Sequence, residues 1–508
     1  MGACLTGAGA ELVGVEARFD TRERERIEVV LTGLPDSVLK ESRSRLECAL
    51  AACGLHLPQG RLWLNLVPAS RRKSGESLDL PLAVAAAAAT GHLPASAVRK
   101  VLFLGELGID GTLHAVPGGL AAALAAKELG IEDLVAPPAT AIEAAAVHGI
   151  TAYGARSLAA AIAHVTGVRC LKPLSATEAG PAVRASGPSL DEVRGLDDAK
   201  WALAVAAAGG HGVLFVGPPG AGKSLLARRL VNLLPPPDMH ERLELTRVLS
   251  ANGRWPGGLA KERPFRAPHH STSCAGLVGG GPQALAGEVT LAHGGVLFLD
   301  ELPEFRRDAL EALRQPLESG VVQLSRARTR VELPARFQLI AAMNPCPCGW
   351  RGHRKVPCLC SPHAVARYRS KISGPLLDRI DVCVEVQPPE FDELVPQERT
   401  QGTNECAPSS TTHTELQLCA RVDVARLQAQ SRQGHTPNAR LSPGELELTT
   451  PLCERSRDLL RRAAKARALS ARGIQSLRRV ARTLADLAGR ERVEPQDLAA
   501  ALALRGSL

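Results

Sequence analysis

Four apolar residues, Val213-Leu214-Phe215-Val216, run directly into Gly217-Pro218-Pro219-Gly220-Ala221-Gly222-Lys223-Ser224, and Leu225-Leu226-Ala227-Arg228-Arg229-Leu230 then follows with helical spacing. A buried strand, a glycine-rich turn and a helix in that order leave few folds open. Glycines at such a turn let backbone N–H groups face inward around phosphate oxygens, and the helix that follows adds its positive end. On this Walker A arrangement Lys223 reaches the β and γ phosphates and Ser224 offers a hydroxyl to Mg²⁺. The expected ligands are ATP and Mg²⁺, and the expected fold class is α/β. A glycine turn with a stray lysine is the other reading, and the flanking strand and helix speak against it.

Two further apolar runs end in polar residues suited to the same chemistry. Val296-Leu297-Phe298-Leu299 is followed by Asp300 and Glu301, in the form of a Walker B element. There Asp300 holds Mg²⁺ and Glu301 polarises the water that attacks the γ phosphate. Phe337-Gln338-Leu339-Ile340-Ala341-Ala342-Met343 ends at Asn344, a side chain placed to reach between the Walker B acid and the γ phosphate. Its position resembles sensor 1 of AAA+ ATPases. By the same resemblance Arg379, in Leu376-Leu377-Asp378-Arg379-Ile380-Asp381, stabilises transition-state charge on a neighbouring subunit's nucleotide, which implies a ring. A surface arginine paired with Asp378 or Asp381 is the alternative.

At 508 residues the chain exceeds what one core organises, and three blocks can be read. Residues 1–170 alternate strand-like and helix-like patterns, with Ile27 to Leu31 and Arg61 to Val67 as strands and helices from about Ser37 to Cys53 and Leu82 to Thr90. A Pro-, Ser- and Ala-rich stretch from Leu171 to Ser189 reads as a linker before a second block at 190–390. A polar stretch from Glu398 to Thr414 precedes a third block, 430–508, of helical patterns near Cys453 to Leu469, Ser470 to Leu487 and Glu494 to Leu504.

Gly33-Leu34-Pro35-Asp36 with Lys40-Glu41-Ser42, Arg263-Pro264-Phe265-Arg266-Ala267-Pro268-His269-His270, Leu297 to Phe305, and Asn344-Pro345-Cys346-Pro347-Cys348-Gly349 together resemble the ComM/YifB group of magnesium-chelatase-like AAA+ ATPases. The resemblance spans nearly the whole chain. It implies an AAA+ P-loop core, a C-terminal helical lid, and a hexameric ring that hydrolyses ATP and moves DNA, as a helicase or branch-migration factor in recombination or natural transformation. Ser470-Ala471-Arg472-Gly473 resembles the family's sensor 2 segment, so Arg472 is expected to contact the γ phosphate from the lid; an ordinary arginine of a basic helix is the alternative. In the first block, Arg71 to Pro81 with Gly105-Glu106-Leu107 and Val116-Pro117-Gly118-Gly119-Leu120 resembles the proteolytic domain of Lon. Ser77 falls at the nucleophile's place, but Ala121 stands where the lysine of a Ser-Lys dyad belongs. Peptidase activity is therefore not expected.

Three features point to partners. The formal charge is +9, from 61 Lys and Arg against 52 Asp and Glu, and between Glu454 and Arg492 twelve basic residues face four acidic ones. Such a segment is either a polyanion surface or a solvated helix face. Gly320 to Leu333 alternates like a hairpin, with Arg326, Arg328 and Arg330 expected on one face to follow the phosphates of single-stranded or branched DNA; a charged edge hairpin that resists aggregation is the alternative. Cys346, Cys348, Cys358 and Cys360 form two C-x-C pairs that could close a tetrahedral Zn²⁺ site, with reduced free thiols as the alternative and His353 or His363 as substitute ligands. No apolar stretch is long enough to span a membrane, and a cytoplasmic location is expected. Two other functions fit the nucleotide motif: the ATPase subunit of a magnesium chelatase, and a nucleotide-gated scaffold.

Overall fold

Alternation builds the first block. Leu62, Leu64 and Leu66 of strand Arg61–Val67 are fully buried while Trp63 between them is exposed, as a sheet with one covered face requires. The structure is a computed structural model and describes residues 1–21, 27–33, 36–68, 76–175, 180–185, 187–255, 257–280, 285–326, 329–389 and 414–506. Within them Arg61–Val67 lies between Gly9–Asp20, antiparallel, and Glu28–Thr32, parallel, with Gly2–Thr6 at the far edge. A second sheet runs Val101–Phe103, Asp133–Ala136 and Thr151–Gly154 in parallel, with an antiparallel edge at Pro173–Leu174. Asp36–Ala52 and Asp79–Ala89 are the two early helices. The second is buried along most of its length because its alanines let neighbours approach closely.

The described residues of 171–189 do not behave as a free linker. Pro173–Leu174 completes a sheet, and the Val183 N–H donates to the Lys261 carbonyl at 3.0 Å. The Arg184 guanidinium donates to the carbonyls of Leu233 and Leu234, each at 3.0 Å, where the helix Lys223–Leu233 ends. Composition reports what a segment cannot bury by itself, not what a neighbouring helix end can accept from it. Of the second polar stretch, residues 398–413 lie outside the described residues.

The second block is a parallel sheet ordered Phe265–Arg266, Val296–Leu299, Gln338–Met343, Val213–Val216, Val382–Glu385. Its central strands are almost wholly apolar because both faces are covered. Val213, Phe215, Val296, Phe298, Ile340 and Ala342 enter one core, and Leu214, Val216, Leu297, Leu299, Leu339 and Ala341 enter the other. The first core also receives Leu418 and Val422 of helix Glu415–Gln433 and Leu477, Val480 and Leu484 of helix Ala471–Leu487. The C-terminal helices therefore share a core with the sheet.

A buried polar chain fastens them. His211 Nδ1 lies 2.8 Å from Asp381 Oδ2 and its Nε2 lies 2.8 Å from Thr483 Oγ1. Ser476 Oγ donates to Asp381 Oδ1 at 2.6 Å. Asn438 donates to Thr483 Oγ1 and Asp486, and Arg432 and Arg482 both donate to Asp486. Much of the basic C-terminal segment is spent this way. Arg482 is fully buried, Arg478 donates to the carbonyls of Leu446 and Thr450, and Arg479 to that of Leu441. The exposed basic residues gather instead on the helix Glu454–Ala466, as Arg455, Arg457, Arg461, Arg462 and Lys465.

The hairpin pairs Val321–Arg326 with Thr329–Pro334, with Arg326 opposite Thr329 and Ser325 opposite Arg330. The chain reverses between 326 and 329, so a period-two face cannot run continuously through Arg326, Arg328 and Arg330. Arg328 and the side chains of Arg326 and Arg330 lie outside the described residues. No helix among the described residues is long and apolar enough to cross a membrane.

Within the first block, Asp79 is buried at the start of its helix, 3.2 Å from Arg45 and 3.3 Å from the Leu107 N–H. Burial, opposed by Arg45 and by that N–H, pushes its carboxyl up to about 6. The folded chain thus keeps a proton that the unfolded chain has released, so between about pH 4 and about pH 6 this group's contribution to stability falls as pH rises. In Asp79→Asn that fall is expected to vanish, and the variant should gain on the wild type by up to about 3 kcal/mol across the window. Calorimetric unfolding of both proteins over that range checks it, and parallel curves would refute it.

Candidate nucleotide site

Because the central strands are parallel, their C-terminal ends lie on one side of the sheet, and every loop that leaves there faces the same space. Val216 gives way to the Gly217–Ser224 loop, Leu299 to Asp300 and Glu301, and Met343 to Asn344. Gly222, at φ +85°, turns the loop into helix Lys223–Leu233 and leaves that helix without a side-chain cap. Its first N–H groups remain available to an anion.

The structure brings the five predicted polar residues together. Lys223 is buried, and its Nζ donates to the carbonyls of Gly217 at 2.6 Å and Pro218 at 2.8 Å and to Asn344 Oδ1 at 3.1 Å. Burial lowers its pKa, and Asp300 and Glu301 pull it back up. Ser224 Oγ donates to Asp300 Oδ2 at 2.6 Å, and Asp300 Oδ1 accepts the Glu301 N–H at 3.0 Å.

Glu301 sits at φ +53°, in left-handed conformation. That costs a non-glycine residue about 1 kcal/mol or more, and such positions cluster where geometry matters more than stability. Its carboxylate is 3.2 Å from His270 Nδ1. The role of His270 is not legible in the sequence, where it stands only as the last residue of the Arg263–His270 stretch. A signal existed nonetheless. Phe265–Arg266 pairs in parallel with Val296–Leu297, so the loop after it must open on the same side as Glu301. Tyr368, whose hydroxyl lies beside the Asn344 backbone, was also missed; burial, with Glu304 and Glu301 nearby, pushes it up to about 12.

Arg379 and Arg472 are elsewhere. Arg379 precedes the last strand, where the Val382 N–H donates to the Gly212 carbonyl at 3.0 Å, at the N-terminal ends of the strands. A four-residue strand separates this end from the phosphate loop by about 13 Å. Arg379 donates to the Pro375 carbonyl at 2.6 Å and forms a short ion pair with Glu318. Arg472 takes the other Glu318 oxygen at 2.9 Å. Asp378 and Asp381, the partners considered for Arg379, are held by Ser470 and by His211 and Ser476. Glu318 thus keeps Arg472 beside Arg379, away from the phosphate loop of its own chain.

The four cysteines converge. Cys346 Sγ is 3.4 Å from Cys348 Sγ and 3.6 Å from Cys358 Sγ, and Cys348 and Cys358 are 3.7 Å apart. All four sulfurs, Cys360 included, lie within 4.8 Å of one another. His353 is turned to its own loop, where Nδ1 accepts the N–H groups of Lys355 and Val356 at 3.1 and 2.9 Å.

Family models match along the chain: magnesium chelatase, subunit ChlI, over residues 189–394; subunit ChlI of Mg-chelatase over 15–140; and the subunit ChlI C-terminal model over 412–505. The chain is 38% identical to competence protein ComM of Haemophilus influenzae, with 98% of this chain and 95% of that protein aligned. It is 37% identical to the uncharacterized protein YifB of Escherichia coli, over 94% and 91%, and 40% identical to an uncharacterized protein of Mycobacterium tuberculosis, over 99% and 97%. With an AAA+-like α/β core and relatives aligned over almost its full length, the chain belongs to the ComM/YifB family of magnesium-chelatase-like proteins.

Proposed function

We propose that this protein is a Mg²⁺-dependent ATPase that works as a hexameric, ring-forming motor on DNA. One observation carries the ATPase reading: Lys223, Ser224, Asp300, Glu301 and Asn344 stand together at the C-terminal ends of three adjacent parallel strands. The donor set fits the ligands. The Lys223 ammonium is satisfied only by neutral oxygens, which a phosphate would replace, and the Ser224 hydroxyl and Asp300 carboxylate are the hard oxygens that Mg²⁺ selects. Held by Ser224 and Asp300, Mg²⁺ would supply positive charge against that of the phosphates. Residues 217–224 cradle the phosphates, Glu301 takes up the proton of the attacking water while His270 holds its carboxylate, and Asn344 orients that water against Lys223.

Arg379 and Arg472 act on the nucleotide of the next subunit. Their place at the opposite end of the sheet from their own loop supports this, and Glu318 holds both until the neighbour's phosphate competes for them. Residues 190–390 form the ATPase core and 430–508 a helical lid, which helix Glu415–Gln433 joins to the core. Residues 1–170 form a Lon-like assembly domain. There Ser77 Oγ donates to the Ala3 carbonyl at 2.8 Å, and residue 121 is a buried alanine rather than the lysine of a Ser-Lys dyad. The net charge of +9, the exposed basic face of helix Glu454–Ala466, the hairpin and the relative named as a competence protein support DNA, single-stranded or branched, as the load, and a cytoplasmic site of action. The family's descriptions favour a second reading, the ATPase subunit of a magnesium chelatase, which predicts chelatase partner subunits and no response to DNA.

Phosphate release with single-stranded, duplex and branched DNA at one fixed salt concentration tests the proposal. DNA is expected to stimulate hydrolysis, and Lys223→Ala and Glu301→Gln should each lower it by about 100-fold or more, with ATP binding kept in the second. Hydrolysis indifferent to every DNA would sink the motor reading. Arg379→Ala alone should be inactive, yet mixed one to one with Lys223→Ala it should recover about a quarter of wild-type activity, because a quarter of the interfaces then join an intact loop to an intact arginine. No recovery in a mixture shown to co-assemble would place Arg379 outside the neighbour's site.

A further inference from the structure

Among the described residues, Cys346, Cys348, Cys358 and Cys360 are the one grouping of His, Cys, Asp or Glu side chains with metal-site geometry. Their spacing is that of ligands. Four thiolates about 2.3 Å from a tetrahedral Zn²⁺ stand about 3.8 Å from each other, whereas a disulfide would bring two sulfurs to about 2 Å. The separations of 3.4, 3.6 and 3.7 Å agree with the first and exclude the second. Apolar packing does not explain the cluster, since Cys348, Cys358 and Cys360 are all partly exposed. With His353 committed to its loop, the four sulfurs form a closed set with no position left for substrate.

The cluster is mounted on the nucleotide site. Cys346 is two residues beyond Asn344, whose Oδ1 accepts from Lys223 Nζ. One residue past Cys348, Gly349, at φ +84°, lies so close to the phosphate loop that an added Cβ would fall 2.6 Å from Pro219 Cδ, with Asn344 Cγ at 3.9 Å. The segment thus touches two of the elements that must hold still around the phosphates. It has no regular secondary structure from 344 to 361 to hold it in place.

We propose that the four cysteines bind one structural Zn²⁺ per chain and that this centre sets the positions of Asn344 and Pro219, making ATP hydrolysis dependent on the metal. Occupancy of the site is independent of the ATPase reading; the positioning role rests on it. With the metal in place, the two C-x-C segments are fixed to each other and Gly349 is pressed on the loop. Without it, nothing ties one C-x-C segment to the other, and Asn344 loses its register with Lys223.

Metal analysis of the full-length protein, purified in reductant without chelator, should find close to one Zn²⁺ per chain, and Co²⁺ substitution should give the absorption of a tetrahedral four-thiolate site. In Cys358→Ser/Cys360→Ser the bound zinc should fall at least tenfold. Its kcat should fall at least tenfold, with nucleotide still bound and the unfolding transition of the first block unmoved. Gly349→Ala keeps all four thiolates, so it should retain zinc while losing hydrolysis, a combination that damaged folding of the cysteine segment would not produce. Metal-free protein with four freely titrating thiols, or iron–sulfur absorption, would overturn the zinc assignment whatever the ATPase does. Zinc-free double variant with wild-type kcat, or Gly349→Ala with both zinc and wild-type kcat, would overturn the positioning role alone.

Discussion

The parallel register of three buried strands is the constraint on which the rest of the molecule depends. Val213–Val216 pairs with Gln338–Met343, which pairs with Val296–Leu299, each residue of one strand level with its partner on the next. Parallel strands must be joined by crossovers, which carry helices to both faces and make each strand apolar on both sides. The same direction forces the three loops that hold lysine, carboxylates and asparagine to one edge. Residues 77 and 121 positions after Lys223 along the chain are thereby brought within a hydrogen bond or two of it.

The arginines show how much the surroundings decide. Of the basic residues in the C-terminal segment, Arg478, Arg479 and Arg482 are used as fasteners, donating to carbonyls and to Asp486 inside the fold. A guanidinium suits this use, because its five donors can satisfy several acceptors that a helix end leaves open. The helix Glu454–Ala466 keeps its basic residues in solvent, as do Arg467 and Arg492. A count of charges therefore overstated the surface available to a polyanion.

At the junction of sheet and C-terminal helices, the buried chain from His211 through Asp381, Ser476 and Thr483 to Asp486 is satisfied at almost every step. Burial alone would raise the Asp381 pKa, but hydrogen bonds from His211 and Ser476 prevail and hold it below its ordinary value. Such a network specifies one docking geometry, because any slip leaves a buried charge without its partners. It joins the strand end near Gly212 to the helix that carries Arg472, so the end of the sheet remote from the loop is as firmly organised as the loop itself.

The sequence by itself determined the loop, the acids and the asparagine, because strand, turn and helix are local patterns and each motif sits at the end of its own apolar run. It also marked the cysteine pairs, whose spacing is local. What only the tertiary structure decided is who meets whom. His270 reaches Glu301 from an edge strand two residues long, too short to leave a periodic signal. Arg472 and Arg379 share Glu318 across more than 150 positions of chain, and Gly349 rests on Pro219 through a contact that no periodicity encodes. Local patterns fix which residue leaves which strand; distances between loops follow from sheet order and packing, which the chain settles only when it closes on itself.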